Sequence, residues 1–424
     1  MDDLLYTQTT KQSLETPAPK PRTAGLLDLP PEIILEVSLS CSKHDIKAFR
    51  SVCKSLDTIL HTIFGRRFFS RLHVLPTPTS LDLLNQISTH ARLSPHVREL
   101  CLCSSIYQYW CRIGSRETRP GERRAPPRRR ILSEDTPPFA DPVSEEQEAV
   151  NLAVELVRGD EVQKQLTTAL QRLRIDRIEV EKWPGCPSLA LGCKQLMAVT
   201  QRDPFNDDWY SMRPDWDYEG IDMATRMTEI VFSAVRDSDT SLGSLNLDWI
   251  SIDQLRLTPD LGNNLRRLRF LSVGIGKADQ SLDHSDSETR FDIFTLINQL
   301  PCLENLSLSN CPSFSEDRLH LPTLLPHIHL PNVTKLCLGD LEDSSPQVVS
   351  FLLNSVPKLK DLELKYITTN DYNQAWKEMF MALRGGVAGL QRLKVDVHGR
   401  IHRAKDWREV DETLVWLAEK MPDL

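Results

Sequence analysis

The sequence predicts an α/β protein with a short helical unit near its N-terminus, followed by an irregular solenoid of parallel strands and helices. Three observations carry that prediction. A strand template of the form L-x-x-L-x-L, with other apolar residues admitted, recurs along most of the chain. Apolar residues at helical spacing fill several gaps between its copies. Residues 25–64 hold three short amphipathic stretches, too few to bury a core of useful size alone, so a larger body is expected beside them.

Residues 1–24 are rich in Thr, Pro and Lys without periodicity and read as a disordered lead-in. In the helical unit, Asp28 is the expected cap of a first helix, with a proline just inside its start. Ile33, Ile34 and Val37 form its apolar stripe. Asp45 is the expected second cap, followed by Ile46, Phe49 and Val52 at helical spacing. Leu56, Ile59, Leu60 and Ile63 mark a third helix.

A strand-like run follows from Gly65 to Val74, then a helix over Ser80–Ser88 with Leu81, Leu84 and Ile87 on one face. The strand template matches at Phe69-Leu72-Val74, Val97-Leu100-Leu102, Leu170-Leu173-Ile175, Leu242-Leu245-Leu247 and Leu265-Leu268-Phe270. It matches again at Leu303-Leu306-Leu308, Val333-Leu336-Leu338, Leu359-Leu362-Leu364 and Leu390-Leu393-Val395. Met223-Met227-Ile230, Phe291-Phe294-Ile297, Val348-Phe351-Leu352 and Trp376-Phe380-Leu383 supply helical patterns between them. Spacings of 30, 26 and 31 residues separate Leu303, Val333, Leu359 and Leu390, which suits one strand and one helix per repeat. Wider gaps before Leu242 imply insertions. Residues 112–148, with the basic run Arg123–Arg130 and an acidic end, read as a disordered insertion. Residues 184–219 read as irregular, acidic and aromatic, with Trp209 and Trp216. The last residues, Met421-Pro422-Asp423-Leu424, repeat a Pro-x-Leu lead-in with no strand after it. Either the last helix caps the array or the repeats continue in a longer product.

A formal net charge of −8 argues against a dedicated nucleic-acid or acidic-membrane binder. No apolar run is long enough to span a bilayer, and the N-terminus lacks the basic and apolar segments of a secretory signal. Ten scattered cysteines are expected to be free thiols. A cytoplasmic or nuclear protein is the expectation.

Catalytic patterns are weak. No G-x-S-x-G elbow is present, and Gly274-Ile275-Gly276-Lys277 lacks the spacing of a phosphate loop. Cys101 and Cys103 share a strand face, but no second pair of Cys or His has zinc-knuckle spacing. His327 and His329 read as structural. The sequence therefore nominates no catalytic residue, no metal ligand and no cofactor. Arg123–Arg130 reads first as a solvated loop and second as a nuclear-import signal.

The opening Leu29-Pro30-Pro31-Glu32 and the later Val52-Cys53-Lys54 resemble an F-box, the segment by which a receptor docks on the Skp adaptor of a cullin–RING ubiquitin ligase. Leu56 stands where members of that family often carry an aromatic. The repeats resemble the irregular leucine-rich repeats of F-box proteins, particularly fungal ones. The position that usually carries Asn or Cys holds Cys311 once, but Ile250, Val273, Leu341, Ile367 and His398 elsewhere, so no asparagine ladder is expected. The resemblance implies adaptor contacts through Leu29, Pro30, Ile33, Ile34, Val37, Ile46, Phe49, Val52 and Leu56. It implies a target surface on the outward positions of the strands: Cys101, Arg174, Asn246, Arg269, Ser307, Cys337, Glu363 and Lys394, with Trp209 and Trp216 as aromatic anchors. The implied function is substrate recognition in an SCF-type ligase, with Skp, cullin and RING subunits as partners and no cofactor. The alternatives are a scaffold that binds the adaptor without a cullin and, less favoured, an α/β enzyme.

Overall fold

A computed structural model describes residues 25–104, 160–181, 190–194, 217–251, 255–276, 293–310, 325, 328–339, 345–367, 373–386, 389–397, 400–404 and 407–420. The expected lead-in, the insertion at 112–148, the chain's last four residues, Trp209 and Trp216 lie outside the described residues. Internal contacts divide the chain into two compact units, Met1–Arg67 and Phe68–Leu424.

In the first unit a 3-10 turn at Leu26–Asp28 precedes helices α1 (Pro31–Leu39), α2 (Lys43–Val52) and α3, which runs from Lys54 to Phe69. The caps differ from those expected. Asp28 accepts a hydrogen bond from the Gly25 amide at 2.7 Å and so closes the turn, while α1 starts at Pro31, whose missing N–H leaves no donor unsatisfied. For α2 the cap is Ser42. Its hydroxyl accepts from the Asp45 amide, and the Asp45 carboxylate accepts from the Ser42 amide, a reciprocal pair three residues apart. The core is small: Ile34, Leu56 and Leu60 pack together, with Phe49, Cys53 and Ile59 against them. Around it, Arg50 lies over the Phe64 ring at 3.5 Å and pairs with Asp57. Arg67 donates to the Leu39 and Cys41 carbonyls, satisfying acceptors that the end of α1 leaves open.

The expected strand over residues 65–74 is half helix. Helix α3 continues to Phe69, and the strand β1 is only Arg71–Val74. Among the described residues nine more strands follow: β2 (Glu99–Cys103), β3 (Arg177–Glu181), β4 (Ser244–Ser251), β5 (Phe270–Gly276), β6 (Asn305–Asn310), β7 (Lys335–Gly339), β8 (Asp361–Ile367), β9 (Arg392–Val397) and β10 (Arg400–Ala404). All ten form one sheet in chain order. Neighbours from β1 to β9 are parallel, and β10 returns antiparallel on β9. Among the described residues eight α-helices accompany the strands: α4 (Pro78–Thr89), α5 (Glu161–Arg172), α6 (Asp217–Ser238), α7 (Leu261–Asn264), α8 (Ile293–Asn298), α9 (Ser345–Ser355), α10 (Asn373–Gly386) and α11 (Trp407–Lys420). The expected irregular segment 184–219 is therefore too long, because α6 already begins at Asp217, and within it Leu191 forms a bridge with Val74.

The period of two explains the packing. One face of the sheet carries a row in register through Leu72, Leu100, Ile178, Leu245, Leu271, Leu306, Leu336, Leu362 and Leu393. A second row runs from Val74 and Leu102 through Val180, Leu247, Val273, Leu308 and Leu338 to Leu364 and Val395. Both rows are buried in one continuous cluster with helix residues such as Leu81, Leu166, Val231, Phe294, Phe351 and Trp376. Burying a leucine of this kind contributes about 1.5–3 kcal/mol.

A backbone ladder fixes the register at the strand entries. The Ser70 carbonyl accepts from the amides of Arg98 and Glu99, and the Arg98 carbonyl accepts from Asp176 and Arg177. The carbonyls of Asp176, Gly243, Arg269, Glu304, Thr334 and Lys360 repeat the arrangement, each taking two consecutive amides of the next repeat. Two template matches are corrected by this register. The third strand follows Ile175-Ile178-Val180, not Leu170-Leu173-Ile175, because Leu170 belongs to α5. The fifth follows Leu268-Leu271-Val273, three residues beyond the expected match. Phe270 thus opens β5 on the other face of the sheet, with the Arg177 guanidinium 5.9 Å from its ring.

Residues 190–194 are held against β1 and α4. Leu191 donates its amide to the His73 carbonyl, and the Ser80 hydroxyl donates to the Leu191 carbonyl. Gly192 has φ of +76°, and a Cβ there would lie 2.1 Å from the Ser80 Oγ. Left-handed backbone and crowding both oppose a side chain. We expect Gly192→Ala to lower stability by about 1–3 kcal/mol, measured by urea denaturation, with Ser80→Ala partly restoring the double variant by removing the crowded hydroxyl.

Candidate functional site

Two surfaces gather the residues singled out in the sequence, one in each unit. In the first unit the apolar side chains divide by burial. Ile34 and Leu56 are 3% and 2% exposed and belong to the core, and Ile46 is fully buried, so these three present nothing to a partner. Phe49 is half-buried against that core. Leu29, Pro30, Ile33, Val37 and Val52 are exposed, with Ile33 at 47%, Val37 at 45% and Val52 at 70%. Ile33 and Val37 lie one turn apart on α1 and share a face. Leu26, Leu27 and Leu39 add further exposed apolar surface that the sequence motif did not include. Among the described residues these side chains leave a set of aliphatic groups uncovered on one small unit.

In the second unit the open face of the sheet carries the alternate residues. In register, the central row is His73, Cys101, Glu179, Asn246, Ser272, Ser307, Cys337, Glu363 and Lys394. Cys101, Asn246, Ser307, Cys337, Glu363 and Lys394 therefore lie on the strand face where the sequence placed them. Cys101 and Cys337, however, are buried rather than exposed, because these short side chains sit beneath longer neighbours, Arg71 and Glu179 at Cys101 and Lys365 at Cys337. Arg174 and Arg269 do not. Arg174 lies in the connection from α5 to β3 and Arg269 immediately before β5, both exposed, and the row positions belong to Glu179 and Ser272. The error follows from the two misplaced template matches. The signal that would have corrected them was present, since Ile175-x-x-Ile178-x-Val180 fits the same template a few residues downstream.

The row is charged at both ends. At β8 and β9, Glu363 accepts from Lys394 and lies 3.6 Å from the Lys365 ammonium. Arg392 donates to Asp361 through Nε at 2.6 Å and through a second nitrogen. Burial works to raise the Glu363 pKa, but the Lys394 hydrogen bond and the charges of Lys365, Lys394 and Lys335 outweigh it and hold the carboxyl below the usual range.

At β1 to β3 the cluster is denser and more buried. Arg71 reaches from β1 across β2 to β3. Its Nε donates to the Cys101 Sγ at 2.9 Å, and one terminal nitrogen donates to Glu179 at 2.5 Å and to Glu181 at 2.6 Å. Arg177 also donates to Glu179, whose side chain is 2% exposed. The Cys101 thiol donates to Glu179 at 3.3 Å, and the His73 Nδ1 lies 3.8 Å from Glu181. The two carboxyls titrate apart. Burial and the neighbouring Glu179 push Glu181 up to about 7. Burial opposes ionisation of Glu179, yet its hydrogen bond with Glu181 and the charges of Arg71 and Arg177 keep it below the usual carboxylate range. Burial also drives the Cys101 and Cys103 thiols well above their ordinary range. His73, Cys101 and Glu181 bring one imidazole, one sulfur and one carboxylate to within 4.8 Å of one another. The sequence nominated no such group, because its members are 28 and 80 residues apart and only strand pairing joins them.

Cys41, Cys53, Cys101, Cys103, Cys193, Cys302 and Cys337 are free thiols among the described residues. No helix among those residues is long and apolar enough to cross a membrane. No protein-family description matches the chain, and no curated protein matches it at a significant level.

The depressed pKa of Glu363 gives a pH dependence of stability. A carboxyl whose folded pKa lies below its unfolded value stabilises the fold above the unfolded pKa, and that stability is lost as pH falls through the folded one. We expect Glu363→Gln to be less stable than the parent at pH 7 and to converge with it in acid. Denaturation series from pH 7 to pH 3 check this.

Proposed function

We propose that this chain is the substrate-receptor subunit of an SCF-type cullin–RING ubiquitin ligase, acting in the cytoplasm or nucleus. The observation that carries the reading is the division of apolar residues in the first unit. Ile34, Leu56 and Leu60 form its core, and Leu29, Ile33, Val37 and Val52 remain on its surface. Leu29, Pro30 and Val52 belong to the F-box-like stretches of the sequence, and Ile33 and Val37 lie on the helix that follows the first of them. On this reading the adaptor contact consists of the exposed residues, joined by Leu26, Leu27 and Leu39. The buried Ile34, Ile46 and Leu56 act by shaping the helices.

The leucine-rich-repeat solenoid is the target-binding part. Ten strands in chain order, with helices on the leucine-lined face, leave a row of mixed polar chemistry on the other face. Target contact is assigned to the half-exposed outward positions Asn246, Ser272, Ser307, Glu363 and Lys394. The chain makes no covalent bond itself. Holding the adaptor by one surface and a target by another raises the effective concentration of the target's lysines near the ubiquitin-charged enzyme, a gain in position alone. Skp contacts the first unit directly, and the cullin and RING subunits join through it.

Co-expression with a Skp adaptor and affinity purification test the proposal. The parent chain is expected to retain the adaptor, and an Ile33→Asp/Val37→Asp variant to lose at least tenfold of it while unfolding at the same temperature, since neither side chain belongs to the core. Leu60→Ala, in contrast, is expected to lower stability by about 2–5 kcal/mol. A parent chain that ignores the adaptor would refute the reading, as would full retention by the double variant.

A further inference from the structure

The first three strands bring together donors of a kind that the ligase reading does not use. His73 on β1 stands opposite Cys101 on β2, and Cys101 stands opposite Glu179 on β3. Glu181 lies two residues further along β3, on the same face. The pairing register thus delivers one donor from each of three adjacent strands to one spot on the open face. Those three side chains are mostly removed from water, Cys101 fully and His73 and Glu181 to 12% and 14% exposure.

We propose that His73, Cys101 and Glu181 form a binding site for a single zinc ion. An imidazole with a thiolate selects a late divalent metal over calcium or magnesium, which take all-oxygen shells. Three protein donors with the fourth position open is a recognised zinc arrangement. The geometry is nearly formed. With donor atoms no more than 4.8 Å apart, an ion at their centre lies within about 2.8 Å of each, and bond lengths of about 2.0–2.3 Å need shifts of about 0.5–0.8 Å.

Arg71 is the competitor. Its guanidinium now spans the same donors, contacting Cys101 and Glu181 as well as Glu179. Its side chain is 41% exposed, so it has room to move, and Glu179 lies outside the donor set and can keep it. Arg71 and zinc are alternative occupants of one site, and zinc entry leaves the Arg71–Glu179 pair as a shell around the metal. The reaction is an exchange without redox change. The thiol of Cys101 loses its proton to solvent, and its sulfur lone pair forms the bond to zinc. The bound ion ties together three strands whose connections include the longest one in the sheet, from β2 to β3.

The test uses the full chain, freed of metal by a chelator and then titrated with zinc chloride. One zinc per chain is expected, and X-ray absorption at the zinc edge should show one sulfur with the remaining first-shell atoms nitrogen or oxygen. Cobalt in place of zinc should give a thiolate-to-metal charge-transfer band. Cys101→Ser is expected to abolish the band and weaken zinc binding at least a hundredfold, and Glu181→Gln at least tenfold. The proposal is overturned if the parent chain takes up no zinc, if its first shell holds no sulfur or two, or if Cys101→Ser binds as the parent does. Should Cys101→Ser fail to fold, as far-ultraviolet circular dichroism would show, the absorption spectrum of the parent chain alone decides.

Discussion

The sheet depends on a main-chain hydrogen-bond pattern at its edge of entry. In eight successive places a carbonyl just before a strand takes two consecutive amides from the next repeat. The leucine rows alone forbid a slip of one residue, which would turn every side chain to the wrong face, but a slip of two keeps the same face buried, and the main-chain pattern is what excludes it. The bonds sit at the same place in each repeat although the connections between strands differ greatly in length. The pattern therefore sets where each strand starts, and the leucines then set which face is buried.

That division of labour explains which parts of the fold could be read from residues. Leucine rows leave an obvious mark, and seven of nine template matches fell on the strands found. Carbonyl groups leave none. The residues that supply them are Ser70, Arg98, Asp176, Gly243, Arg269, Glu304, Thr334 and Lys360, none of them apolar but with no common charge, size or functional group. Where two apolar frames competed, as around Leu170 and Ile175 or Leu265 and Leu268, the pattern alone could not choose. Misreading these two frames placed Arg174 and Arg269 on the open face and hid Glu179, the most buried acid of the β1–β3 cluster.

The small helical unit shows the same limit in another form. Periodicity located its three helices and named most of its apolar residues, but gave no sign of which were inside. Ile33 and Ile34 are neighbours of identical chemistry, one 47% exposed and the other 3%. Their roles follow from where the other helices pack. The capping pair of Ser42 and Asp45 was half legible. Asp45 stands just before an apolar stripe and so reads as a cap, whereas the Ser42 hydroxyl three residues earlier completes the pair only once the helix start is known.

A sheet registered by main-chain bonds has a consequence for its history. Apart from Gly243, where a Cβ would crowd the Asp176 carboxylate, no particular side chain is needed at the entry positions so long as the carbonyl stays in place. Only the leucine rows restrain the strands, and they accept valine, isoleucine or leucine alike. Lineages carrying such an array can drift far apart in sequence while their strands remain superimposable. Kinship would then be visible in the spacing of hydrogen bonds long after it had faded from the residues.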